Sequence, residues 1–74
     1  MQLDTCPVDE DLRVLAMSVP ATARLRMREV GLRVGSTVRV THRAPFGGRV
    51  VAVGASRIAL DGGTAARIEV GTPQ

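Results

Sequence analysis

The sequence contains no tryptophan, tyrosine or lysine, and only one phenylalanine, one histidine and one cysteine. Each shortage removes a class of function. With one cysteine no disulfide can form within the chain, and a reducing compartment is the simplest setting. Cys6 and His42 lack zinc-site spacing, and no further Cys or His can complete a ligand set. No metal and no cofactor is expected. Without lysine the chain cannot carry the phosphate-cradling loop that ends in Gly-Lys. No nucleophile stands at a suitable spacing from a base, so no catalytic residue is expected and the chain reads as a non-enzyme. Grooves for proline-rich peptides and for single-stranded nucleic acid are lined with aromatics, and one Phe argues against both. No apolar run approaches the roughly 20 residues that span a bilayer. The acidic start lacks the basic and apolar regions of a signal peptide. The expected location is the cytoplasm.

What is present suits one small domain, expected over residues 1–74. The chain is 74 residues long and 45% hydrophobic, which is enough for a globular core built from Val, Leu, Ile, Ala and Met. A core of this size leaves only about 3–5 kcal/mol of net stability. The net charge is +3, and all ten basic residues are arginine. That bias has a genomic reading, a GC-rich coding sequence. Its functional reading is a face for carboxylates or phosphates.

The stretch Met27–Pro45 organises the rest. Met27 and Val30 share a helix face, and Gly31 stands where a left-handed cap residue belongs. Leu32 can fold back on the helix. Val34-Gly35-Ser36 reads as a turn. Thr37–Arg43 alternates, with Val38, Val40 and His42 on one face and Thr37, Arg39, Thr41 and Arg43 on the other. Pro45 ends the strand.

Around this stretch the remaining elements fall into order. Residues 1–10 read as a flexible acidic tail. Leu12–Met17 is a short strand, with Leu12, Val14 and Ala16 on one face. Ser18 is a candidate cap, Pro20 suits the first helical turn, and one helix is expected over about residues 20–30. Ala23, Met27 and Val30 form its apolar stripe. Arg24 and Arg28 lie four apart on another face, with Arg26 beside them. Phe46 in the Gly-rich loop has two readings, a plug for one end of the core or an exposed anchor for a partner. Arg49–Val53 reads as a strand apolar on both faces, and so as a surface for a homo-oligomer. Arg57–Leu60 is its hairpin partner, and Asp61-Gly62-Gly63 is a turn. Thr64–Ala66 is one helical turn, Arg67–Val70 a last strand and Gly71–Gln74 a tail. Short strands at close spacing favour a small β-barrel.

The run Arg26–Gly47, R-M-R-E-V-G-L-R-V-G-S-T-V-R-V-T-H-R-A-P-F-G, resembles the core signature of the ferrous iron transport protein A (FeoA) family. Arg57–Leu60 and Ala65–Val70 resemble it too, in order and spacing. The resemblance covers Leu12–Val70. It implies a mainly β fold, a small SH3-like β-barrel with one inserted helix. It implies no enzyme, but a cytosolic accessory of ferrous iron uptake that binds the ferrous iron transporter FeoB at its cytosolic GTP-binding part. Contact with the membrane would then be peripheral, through that partner. Three steps depart from the family pattern: Gly48-Arg49 replaces Asp-Pro, Asp61–Thr64 replaces a charged segment, and Ser18-Val19-Pro20 replaces a Gly-rich step.

The expected contact residues are Arg24, Arg26 and Arg28 on the helix, with Phe46 and Gly47 in the loop. The alternatives are a nucleic-acid-binding barrel, suggested by the positive charge, and an iron-linked regulatory module. Nucleic acid is not the expected partner.

Overall fold

The fold is known from a computed structural model that describes residues 1–73. Gln74, the end of the expected tail, lies outside the described residues. Seven elements follow in order: β1 (Leu12–Met17), α1 (Ala21–Glu29), β2 (Thr37–Arg43), β3 (Arg49–Val53), β4 (Ser56–Leu60), α2 (Gly62–Ala65) and β5 (Ile68–Gly71). The strands form one antiparallel sheet in the order β4-β3-β2-β1-β5. All five strands and α1 contribute to a single core that includes Leu12, Val14, Met27, Val38, Val40, Val51 and Ile68.

The helix end follows from Gly31. Its φ is +89°, which a residue without a Cβ adopts cheaply. The Gly31 amide donates to Arg28 O and the Leu32 amide to Met27 O. This is the two-bond cap that returns the chain under the helix. Leu32 is thereby fully buried beside Met27. The helix start differs from expectation. Pro20 stands at the cap position with no side-chain cap bond, and α1 covers 21–29. Ser18 does not cap, because it stands two residues before the cap position, and its amide donates to Arg67 O.

Two bulges alter the expected strand faces. In β1 the pairing with β5 shifts between Val14 and Ala16. Leu12 and Val14 point inward as alternation requires, but Met17 and not Ala16 takes the next inward place, opposite Ile68. In β2 the register shifts between Val40 and His42, leaving Thr41 as the extra residue. One inserted residue reverses the parity beyond it. His42 therefore leaves the face of Val38 and Val40 and is exposed, while Arg43 pairs with the inward Arg49.

The expected tail is packed structure. Gln2 bridges Glu69, the Leu3 amide donates to Ile68 O, and the Val70 amide donates to Met1 O. Residues 1–3 thus cover the outer edge of β5, an edge that would otherwise be open to pairing. Leu3 and Cys6 are fully buried. Leu3 precedes Asp4, and Cys6 lies between Asp4 and Asp9, so no local period marks the two as buried. The reading of β3 as apolar on both faces holds, with an arginine added to the inner face. Arg49, Val51 and Val53 are buried, and Val50 and Ala52 are half-buried on the outer face. Since β3 lies between β2 and β4, its backbone offers no free edge to a second copy.

Candidate protein-interaction surface

The three helix arginines do not share one face. Arg24 and Arg28 are one turn apart and line two adjoining recesses. One recess also holds Met17, Leu32, Arg33 and Val34, and the other Val19, Ala21 and Leu25. Arg26 lies on the opposite flank, beside Ile58, Asp61 and Thr64. The Arg24 guanidinium donates to Met17 O at 3.1 Å, which fixes its position over the first recess. Leu25 is 62% exposed and Val34 58%, so aliphatic surface stands beside the charge. Leu25 was expected only to flank the core stripe, and Met17, Arg33 and Val34 carried no local sign of function. The bulge and the Gly31 cap bring them to the helix.

The Phe46 loop resolves toward the exposed reading. Phe46 is fully exposed. Pro45–Gly47 form a tight corner, with Phe46 at φ 60°, ψ 34° and Gly47 at φ +79°. A left-handed aromatic residue is uncommon and requires support from its surroundings. The Ala44 amide donates to Gly48 O, the Gly48 amide donates to Pro45 O, and Gly62 of α2 lies against the backbone at Phe46 and Gly47. The expected turn at Asp61–Gly63 is instead the start of α2. Asp61 caps it by accepting the Thr64 amide at 2.7 Å. That hydrogen bond holds the Asp61 carboxyl below the usual carboxylate range. Phe46 and Gly47 do not line the Arg24–Arg28 recesses. The expected contact residues therefore fall apart into the Arg24–Arg28 flank, Arg26 on the other flank and the Phe46–Gly47 corner.

The departure at Gly48-Arg49 has a structural role. Arg49 is buried, donating from Nη1 to Gly48 O at 3.0 Å and from Nη2 to Asp4 O. Its Nε has no partner among the described residues. The guanidinium thus fastens the N-terminal segment over Cys6. The Cys6 thiol donates to Leu3 O at 3.3 Å. Burial pushes its pKa up, against the opposing pull of Arg49. The thiolate is the reactive form, so Cys6 should be alkylated slowly in the native protein, at a rate set by opening of residues 1–6. Arg49→Ala should speed native-state iodoacetamide labelling about tenfold, the effect of losing roughly one hydrogen bond to a charged donor. Labelling of the unaltered protein as fast as that of free cysteine would disprove this fastening. Among the described residues no three His, Cys, Asp or Glu side chains are grouped to hold a metal ion. No helix among them is long and apolar enough to cross a membrane.

The FeoA domain profile matches residues 1–71. The chain belongs to the FeoA family. The match includes the N-terminal segment, which lay outside the sequence resemblance. A crystal structure of an iron uptake regulatory protein, also named FeoA, is 27% identical with a TM-score of 0.80, over 95% of this chain and 93% of that one. Stenotrophomonas maltophilia FeoA complexed with zinc is 32% identical with a TM-score of 0.75, over 96% of this chain and 89% of that one. That protein is described as a prokaryotic SH3 domain protein and a suggested bacterial ferrous iron transport activating factor. A manganese-dependent transcriptional repressor is 23% identical with a TM-score of 0.78. This chain covers 39% of its length, and the likeness is one of fold alone. No curated protein matches. This FeoA-family chain is a mainly β, SH3-like domain with one inserted helix, of a kind associated with ferrous iron transport.

Proposed function

We propose that this chain is a non-enzymatic accessory of ferrous iron uptake that binds the cytosolic GTP-binding part of the ferrous iron transporter FeoB. The observation that carries the reading is the FeoA match over residues 1–71. Two surfaces serve the contact. One is the Arg24 and Arg28 flank of α1, with Arg26 on the other flank. The second is the corner at Phe46 and Gly47. A fully exposed aromatic on a braced corner is suited to anchoring, because aromatic residues carry large shares of binding energy when a partner pocket desolvates them. The chain reaches the membrane through its partner and works in the cytoplasm.

The test is capture of the purified cytosolic part of the transporter by tagged protein, with and without nucleotide. Phe46→Ala should weaken capture by about 2 kcal/mol or more, roughly thirtyfold, if Phe46 is an anchor of this kind. The fold should be unaffected, because the side chain touches solvent alone. Absence of capture by the unaltered chain at high micromolar concentration would overturn the proposal. Salt-sensitive retention of nucleic acid in its place would favour the barrel as a nucleic-acid binder.

A further inference from the structure

The Arg24–Arg28 recesses have a chemistry of their own. Arg24, Arg28 and Arg33 line them, and no acidic residue does. Among the described residues the single ion pair is Arg39 with Asp11, on a different surface. Three arginines therefore line the recesses, Arg33 in the first alone, and none has an ion-pair partner among the described residues. The bond from Arg24 to Met17 O uses one of its five N–H donors and orients the rest. A guanidinium held in this way is prepared for a carboxylate, which it can grip with two parallel hydrogen bonds. Beside the charges lie the exposed faces of Leu25 and Val34 and the half-buried Met17. Burying such aliphatic surface adds a favourable term that charge alone does not supply.

We propose that these recesses bind an acidic peptide segment of a partner protein, one in which glutamate or aspartate flanks aliphatic side chains. The carboxylates pair with Arg24, Arg28 and Arg33, and the aliphatic groups lie on Met17, Leu25 and Val34. Charge complementarity selects this occupant. A nucleic-acid strand would satisfy the arginines but leave the aliphatic surface without a partner, and no aromatic residue lines either recess to stack a base. The proposal rests on the adaptor reading above and names the chemistry of one of its two contact surfaces.

The experiment uses the full chain and a short synthetic peptide of glutamate and leucine, titrated by NMR. Chemical-shift changes should centre on Arg24, Leu25 and Val34, and affinity should fall as salt rises. Arg24→Glu with Arg28→Glu should weaken binding about tenfold or more, because like charges then face each other. The same double variant should gain affinity for a lysine and leucine peptide. Both positions are exposed, so the thermal midpoint should hold and separate lost binding from lost fold. Equal binding to the double variant, shifts centred elsewhere, or equal affinity for a glutamate peptide without leucine would each overturn the proposal. So would tighter binding of RNA or of anionic vesicles at the same residues, or self-association that masks them. A chain that captures the transporter but ignores the peptide overturns the recess assignment alone. A chain that binds the peptide but not the transporter overturns the adaptor reading alone.

Discussion

Leu3→Ala should cost about 2–5 kcal/mol and leave much of the protein unfolded at 37 °C. Leu3 is fully buried in the main core, and its amide holds residues 1–3 to β5 through Ile68 O. Truncating the side chain removes buried aliphatic surface and leaves a cavity that the surrounding strands cannot close. In a chain this short the whole net stability is about 3–5 kcal/mol, so the loss is comparable to the total. The edge of β5 would also be released, which favours association between unfolding chains. Urea denaturation followed by circular dichroism measures the effect. Leu3→Met, which nearly conserves volume, should cost less than about 1.5 kcal/mol. If Leu3→Ala shows the midpoint of the parent protein, the N-terminal segment is not part of the fold.

Gly62→Ala should also destabilise, against its helix propensity. Gly62 is the first residue of α2, where alanine would ordinarily gain up to about 1 kcal/mol. A Cβ at this position runs into Phe46 O, and it meets the Gly47 Cα and carbonyl carbon at 3.2 Å. These are backbone atoms and cannot rotate away. Overpacking of this kind costs about 1–3 kcal/mol, so the net sign is a loss. The neighbouring residue supplies the control. A Cβ at Gly63 would meet nothing nearer than Asp61 Oδ1 at 3.8 Å. Gly63→Ala should therefore be neutral or stabilising by up to about 1 kcal/mol. Paired urea midpoints decide the matter. Because α2 braces the corner, Gly62→Ala should also displace Phe46 and reduce transporter capture as Phe46→Ala does. Equal stability of the two alanine variants would show that the corner does not rest on α2.

Much of the fold was legible because its signals are local. The helix end at Gly31 needed only a residue without a Cβ after an apolar stripe, and the cap formed with Leu32 turned under. The span of β2 matched its alternation. The direction of its last side chains did not, since a bulge is set by pairing with β3 and not by residues 41–43 alone. Arg49 was legible only as a strand residue, because its buried role depends on Asp4, far away in sequence. The candidate site was half legible. Arg24 and Arg28 could be placed together by helical spacing, and Phe46 stood out by being the one aromatic residue.

The sequence by itself determined the composition of the core, helix α1, the short strands, the absence of lysine and paired cysteines, and the single aromatic residue. These are properties of residue type and spacing, which act over a few residues. The tertiary structure decided that residues 1–10 belong to the fold, that Phe46 faces solvent on a corner braced by Gly62, and that Arg26 parts from Arg24 and Arg28. It also brought Met17, Arg33 and Val34 to the helix flank, where charge and aliphatic surface meet. Those placements depend on contacts between segments distant along the chain, whose free energies exist only once the sheet has formed.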